Sequence, residues 1–580
     1  MRYTGLFFAR EPKALMGLLD APYAVMGRHA LCAHDSACDG GAMACAVGRI
    51  RNGQALAREL ADAGMRVKRE GGLSALVLAA YRLWGEDYPA KLEGPVGTAV
   101  IDQDAGRLVL SRDRMGESSL FYIARGAFVA FSDHPAPLLN APFGRREVDA
   151  DGLRELFALG PARTPGATPV AGVKALEAGC QLIADGKTQR VRRYFALEAR
   201  PHEDDERRTI ERVREMLSEA LAFALPLEPA AMLSGGLDST ILTGLAAQKS
   251  ARPIDTWSVS YLQDEHFFTQ NDYQHERDAP FALFAAQEFG TNHHEVILDQ
   301  ASLAEGLHDA MMARGLPGMA DVDVSLYLFA RRIAKENRAV LSGECADEVF
   351  GGYPWFHKPQ LIHTDGFPWS GSLELRERVL KKSVREKLNL LPYAAARYHE
   401  AAAQLPRLSG EAPEQARLRL VHGLCLNWFM PNLQERASRM CEKNGLAVLT
   451  PFCDDRLAQY AYNIPWEMKN LGGQPKGLLR AAYADLLPDA LRNRRKSPYP
   501  KTHHPEYTRL VCERMARVLR DKDAPIAALL DADEVLRLMA SGLPAGDTPW
   551  YGQLMTGPQM IAYLLQVNDF LRTFDLNVAL

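Results

Sequence analysis

The chain has 580 residues, enough for two to four domains at ~100–200 residues each. Its composition, 47% hydrophobic and 24% charged, excludes a largely disordered chain. The 68 Lys and Arg nearly balance the 72 Asp and Glu, and the net charge of -4 gives no reason to expect a nucleic-acid partner.

No apolar run approaches the ~18 residues that span a bilayer, and the opening MRYTGLFFAREPKALMG is too weakly apolar for a signal peptide. The expected location is the cytoplasm, with no membrane partner. The cysteines form no C-x-x-C pair and read as reduced thiols. Cys32, His34, Cys38 and Cys45 come nearest to a cluster, with the wrong gaps for a zinc knuckle.

In chain order, residues 98–102, 107–111, 119–123 and 127–131 are short β-branched or aromatic runs between turn residues. They predict a β-rich first part, interrupted by helical spacing over 54–64 and 74–84. Around 198–208 the charged, proline-containing EARPHEDDERRT marks the expected boundary, with one domain over 1–197 and another over 205–580. Beyond it, helices predicted at 209–225, 239–248, 278–289 and 324–337 alternate with apolar runs at 230–233, 256–260, 294–298 and 339–341. That alternation predicts a parallel sheet with crossover helices. From about residue 376 the pattern is almost wholly helical, as over 373–390 and 413–426.

The strongest chemical signal is Leu233-Ser234-Gly235-Gly236-Leu237-Asp238-Ser239-Thr240, directly after an apolar run and before a helical one. Two glycines let the backbone turn close to a ligand. Amide groups of the turn and helix N-terminus, with the hydroxyls of Ser234, Ser239 and Thr240, make an anion site. Asp238 inside a phosphate cradle needs a partner cation, which points to Mg2+ carried in with a nucleotide. The loop lacks the lysine of G-x-x-x-x-G-K-[ST]. A plain helix-capping turn is the bland alternative, and the full octapeptide between strand and helix speaks against it.

Residues 234–240 resemble the pyrophosphate loop of the N-type ATP pyrophosphatases, which cleave ATP between its α- and β-phosphates. Leu341-Ser342-Gly343-Glu344-Cys345-Ala346-Asp347-Glu348, running on to Tyr353, resembles the second signature of asparagine synthetase. Residues 290–295, Thr450-Pro451-Phe452 and 495–499 match further stretches, so the resemblance covers essentially the whole chain. It implies an α/β protein. The first domain would be an Ntn-hydrolase-like αββα sandwich. The second would be a parallel-sheet ATP-pyrophosphatase domain, adenine nucleotide alpha-hydrolase-like, with extra helices.

The same resemblance implies ATP and Mg2+ as cofactors, and a small-molecule carboxylate with ammonia or another amine as substrates; it allows a homodimer. It places Leu233, Ser234, Gly235, Gly236, Asp238, Ser239, Val259, Ser342 and Gly343 on the nucleotide, with Asp238 also on the metal. Lys496 would put charge on the phosphates, Glu344 would act as general base, and Asp347 would face the substrate. Taken singly, Glu344 and Asp347 also suit a helix N-terminus, and Lys496, after Arg494-Arg495, a solvated basic patch. The β-lactam-forming relatives carry tyrosine where Glu344 stands, so the glutamate favours an external nitrogen nucleophile.

The first domain resembles the class II glutamine amidotransferase half of the same family and departs from it at the chemistry. That half uses an N-terminal cysteine as nucleophile, whereas this chain begins Met1-Arg2-Tyr3 and reaches its first cysteine at Cys32. Val47-Gly48-Arg49 stands where the family has Asn-Gly-Glu, and Gly71-Gly72-Leu73 where a carboxylate holds the glutamine amine. Ser111-Arg112-Asp113-Arg114 and Leu120-Phe121-Tyr122 keep the scaffold. The expectation is a retained fold without glutaminase activity, in an AMP- and pyrophosphate-producing ligase for aspartate or an aspartate-like acid. Two other readings stand beside it: a specialised natural-product or peptide amide and macrolactam synthetase, and a non-catalytic regulatory homologue, against which the intact synthetase motifs argue.

Overall fold

Side-chain alternation along the strand Ala42–Gly48 lays out the first unit of the fold. Met43 and Cys45 enter one apolar core with Tyr3, Ile101, Leu110 and Phe131. Ala42, Ala44 and Ala46, on the other face, meet Leu56 and Leu60 of the helix Gly53–Asp62 and Val77 and Leu78 of the helix Gly72–Trp84. The computed structural model describes residues 3–8, 24–26, 29–33, 36–65, 67, 72–126, 128–141, 144–185, 187–543 and 549–580. Met1-Arg2, His34, Gly71 and the side chain of Cys32 lie outside the described residues.

This first unit comprises Met1–Gly152 and Thr164–Leu197. Two six-stranded antiparallel sheets enclose the first core: one holds Tyr3–Phe8, Phe121–Arg125 and Phe128–Ser132, the other Ala42–Gly48, Val96–Asp102, Arg107–Ser111 and Cys180–Ala184. The predicted strand runs fall within two residues of the observed ones. Buried Arg112 donates to the carbonyls of Ser118, Leu176 and Gly116 at 2.6, 2.8 and 2.7 Å, and Asp113 accepts from the amides of Glu117 and Ser118 at 2.9 and 2.7 Å. These bonds fix the turn after Ser111, so the scaffold motif acts as a clamp on backbone.

The second unit comprises Glu198–Leu580 together with Leu153–Arg163. That short segment joins it because its backbone is held there: Arg376 donates to the Ala158 carbonyl at 2.7 Å, and the Tyr563 hydroxyl to that of Leu156 at 2.8 Å. Arg163 pairs with buried Glu435 at 2.5 Å. The unit's sheet has five parallel strands: β1 (Ala230–Met232), β2 (Asp255–Tyr261), β3 (Asn292–Leu298), β4 (Ala339–Leu341) and β5 (Ala447–Leu449). Their order is β3-β2-β1-β4-β5. Ala230, Ala231, Val340 and Leu341 are all buried, as central parallel strands require. Helices α1 (Leu237–Lys249), α2 (Ala279–Phe289), α3 (Asp321–Ile333), α4 (Ala346–Phe350) and α5 (Met430–Glu442) follow in chain order.

The C-terminal half is almost wholly helical, and within it Ala447, Val448 and Leu449 pair with β4 as a fifth strand. One expectation for it is corrected. The helix expected over 373–390 is broken into Leu373–Arg378 and Lys382–Leu388. Between them Leu380 bridges Leu530, and the amide of Lys381 donates to the Leu529 carbonyl at 2.9 Å, so long-range pairing overrides local propensity. The described cysteines are free thiols. No helix among the described residues is long and apolar enough to cross a membrane.

Candidate active site

The strand order reverses between β1 and β4, and open parallel sheets bind ligands at the carboxyl ends of strands at such a point. The two signature segments are the loops that leave these strands. After β1, Gly235 takes φ +68°, and a Cβ there would meet the backbone of Phe281 and Ala282 at 2.4 and 2.6 Å. Only glycine fits. The Gly236 amide donates to Ser234 Oγ at 3.2 Å, Ser234 Oγ lies 3.1 Å from Ser239 Oγ, and Thr240 Oγ1 donates to the Gly236 carbonyl at 2.7 Å. The hydroxyls thereby brace the loop at the N-terminus of the 13-residue α1, whose first amides lack helical acceptors.

After β4, Gly343 passes so near α1 that a Cβ would lie 3.1 Å from both Asp238 Cβ and the Ser239 amide nitrogen. Cys345 then turns with φ 76°, an uncommon conformation for a residue with a side chain, and starts α4 with Asp347 and Glu348 in its first turn.

Four charges run in a string across this junction. Lys476 Nζ donates to both carboxylate oxygens of Asp238, at 2.7 and 2.5 Å, and to Asp347 Oδ1 at 2.7 Å. Lys496 Nζ holds the other oxygen of Asp347 at 2.5 Å. Burial alone would raise the pKa of Asp347, but the two lysines hold it well below the usual carboxylate range. Asp238 stands on the other side of its ordinary value: burial raises it more than Lys476 lowers it.

Glu344 accepts from Arg436 Nη1 at 3.3 Å, and the Arg436 guanidinium lies 4.6 Å above the ring of Tyr499. Burial pushes the Glu344 pKa up, against the pull of Arg436. Arg494 ties the segment that bears Lys496 to the first loop, donating to the Ser234 carbonyl at 2.9 Å and to Asp278 at 2.5 Å.

Leu233, Ser234, Gly236, Asp238, Ser239, Val259, Ser342, Gly343, Glu344, Asp347 and Lys496 all line one cleft. Gly235 does not, since it packs beneath the loop against α2. Lys496 is ion-paired rather than part of a solvated patch. Sequence reasoning missed Lys476, Arg436 and Arg494, which also line the cleft. No motif marked Lys476; its neighbour Gly477 is a packing requirement that only the structure reveals, since a Cβ there would sit 2.1 Å from the Leu471 carbonyl oxygen.

The family model for asparagine synthase matches residues 212–566, and the model for the glutamine amidotransferase domain matches residues 36–195. The chain belongs to the asparagine synthase family. Asparagine synthetase [glutamine-hydrolyzing] 3 of Bacillus subtilis is 38% identical over 537 residues, 92% of this chain and 87% of the relative. Asparagine synthetase [glutamine-hydrolyzing] 1 of the same organism is 25% identical, covering 78% and 74%. Asparagine synthetase B [glutamine-hydrolyzing] of Escherichia coli is 27% identical, covering 61% and 57%. As a member of this family the protein is a carbon–nitrogen ligase, and the family's reaction is an ATP-dependent amidation.

In the wall of the asparagine synthase cleft, Glu348 is 1% exposed and accepts from the Tyr353 hydroxyl at 2.7 Å. Burial, with Asp347 and Glu344 close by, pushes its carboxyl up to about 8. A raised folded-state pKa contributes stability that is complete below the ordinary value of 4.5 and lost as pH climbs to about 8. Glu348→Gln keeps an acceptor for Tyr353 and removes the titration. The urea midpoint of the variant is expected to fall less than that of the native protein between pH 5 and pH 8; parallel midpoints would show that Glu348 does not titrate in this range.

Proposed function

We propose that this ligase activates the carboxylate of aspartate or an aspartate-like amino acid as an acyl-adenylate, which ammonia or another amine then converts to the amide. The observation that carries the reading is the meeting of the Ser234 loop, the Asp238–Lys476–Asp347–Lys496 string and Glu344 at the switch point of one parallel sheet. We take residues 1–197 and 205–580 as the two functional domains.

In the first step a carboxylate oxygen bonds to the α-phosphorus of ATP as the bond to the β-phosphate oxygen breaks. Leu233, Val259, Ser342 and Gly343 present their backbone to the nucleotide. The loop amides and the hydroxyls of Ser234 and Ser239 hold the departing pyrophosphate. Lys496, with Lys476 behind it, offsets the charge that builds on the phosphates, and Asp347 orients these cations toward the substrate. Asp238, a hard oxygen donor beside a phosphate loop with both oxygens also accepting from Lys476, is the residue that would hold Mg2+, an ion that takes one or two carboxylates together with phosphate oxygens and water. When bound, that ion would neutralise phosphate charge. In the second step Glu344 accepts the proton that the nitrogen sheds as it attacks the acyl carbon. The test is the product: AMP and pyrophosphate are expected with the correct acid, and ADP with orthophosphate as primary products would reject the proposal.

The amidotransferase unit supports a second part of the reading, that glutamine is not the nitrogen source. Gly48 has φ 121° and a Cβ there would lie 2.0 Å from the Pro95 carbonyl oxygen, while the Arg49 amide donates to that same carbonyl at 2.8 Å. The turn is thus built, but a guanidinium stands where the family places a carboxylate. Gly72 and Leu73 open the helix Gly72–Trp84, whose first turn carries no acid. Synthesis is expected to run equally well with ammonium alone or with added glutamine. Release of glutamate from glutamine by the intact chain would overturn this.

A further inference from the structure

A second, smaller cavity in the synthetase unit ends in a buried lysine. Lys469 closes the short helix Trp466–Lys469 and is 4% exposed. Among the described residues no Asp or Glu oxygen lies within 4.0 Å of its Nζ. Its neighbour is instead His422, with Nδ1 at 3.0 Å. His422 is 3% exposed, and its ring stands against the backbone of Glu348 and Val349 in α4. The cavity beside the pair is lined by Arg419, Glu411, Phe356 and Trp466. Its volume is ≈ 20 Å³, more than the ~10–15 Å³ that one water takes up. The nearby acid is already engaged, since Arg419 grips Glu411 through Nε at 3.0 Å and Nη2 at 2.8 Å.

These surroundings favour the free amine. Burial is the largest influence on Lys469, Arg419 adds to it, and only Glu411 opposes them, so the lysine gives up its proton far below its ordinary pKa. Burial and the neighbouring Lys469 likewise keep His422 neutral. Nδ1, the ring nitrogen 3.0 Å from the amine, offers its lone pair to the lysine. A desolvated amine with a base at hydrogen-bond distance is the arrangement of an activated nitrogen nucleophile.

We propose that Lys469 is a carbon dioxide site, where the side-chain amine becomes a carbamate. The nitrogen lone pair forms a bond to the carbon of CO2, one C=O π pair moves onto oxygen, and the surplus nitrogen proton passes to His422 Nδ1. The products are Lys469 Nζ–H–COO⁻ and an imidazolium; the new carbamate supplies the adjacent anion whose lack otherwise keeps His422 neutral, so a neutral pair becomes an ion pair and the interior gains no net charge. Arg419 supplies a second cation for the carbamate. The small cavity excludes larger electrophiles. The site is separate from the ligase cleft and does not depend on the reading of that cleft.

The test uses the full chain equilibrated with 13C-bicarbonate at mildly alkaline pH. Carbamates are observed by 13C NMR, fixed as ethyl esters with triethyloxonium, and located by mass spectrometry of the digest. The expected result is a carbamate resonance and an ethoxycarbonyl group on Lys469, both missing from Lys469→Arg. Trapping that leaves Lys469 of the native chain unlabelled, or that labels only other amines, would overturn the proposal. The deciding measurement is made on the native chain, so it holds even where the variant fails to fold.

Discussion

Glu344→Gln is expected to part the two half-reactions. Carboxylate-dependent ATP–pyrophosphate exchange should persist while amide formation falls by ~10²–10⁴-fold, the usual worth of a positioned base. The variant keeps the length of the side chain and an oxygen for Arg436 Nη1, which now lies 3.3 Å from Glu344 Oε1. It leaves untouched the lysines on Asp238 and Asp347, so the phosphate end of the cleft stays as it is. What it removes is the capacity to take a proton from the nucleophile. Burial already raises the affinity of Glu344 for that proton. The sign with pH follows: amide formation in the native protein should rise as Glu344 ionises, and the variant should lack that rising limb. An equal loss of exchange and amide formation would assign Glu344 to adenylation or to structure instead.

How much of this site was legible in the sequence depends on where its parts lie along the chain. Ser234 to Thr240 and Ser342 to Glu348 are continuous segments in which turn geometry, charge and catalysis share neighbouring residues, so they announce themselves. Gly235 illustrates the limit even there: its place in the loop motif is required by packing against α2 rather than by contact with a ligand. Lys476 sits 238 residues beyond Asp238, in a Gly- and Pro-containing turn before the helix Gly477–Ala482, and only the fold makes it the bridge between two aspartates. Arg436 carries no local signal, since a buried arginine inside α5 looks like any polar residue of an amphipathic helix. In the scaffold, β5 escaped notice because three apolar residues amid helices have no period to reveal them. The break at Leu380 escaped for the complementary reason, that its partner Leu530 is far away in sequence.

Lys476→Met is expected to be the most damaging substitution in the cleft, both to folding and to adenylation. The lysine side chain is 2% exposed, and the carboxylates it joins are only 15% and 12% exposed. Removing the cation leaves Asp238 and Asp347 facing each other in a site with little water. Breaking a buried pair from one side costs roughly 3–5 kcal/mol. Lys496 still holds Asp347, so the unmatched charge falls on Asp238, whose pKa burial already raises. In the variant that carboxyl should bind its proton more tightly still. A group with a raised folded-state pKa is stabilising below its unfolded value and loses that contribution as pH rises through the folded one, so the deficit of Lys476→Met should be small in acid and grow toward neutrality. Urea midpoints of the native protein and the variant at acid and neutral pH measure this directly. Adding Asp238→Asn to Lys476→Met should recover much of the stability at neutral pH and none of the pyrophosphate exchange, since the two residues touch and their effects are not additive. A deficit that ignores pH, or a double variant no more stable than Lys476→Met alone, would mean that the lysine fills space in the cleft rather than balancing its charge.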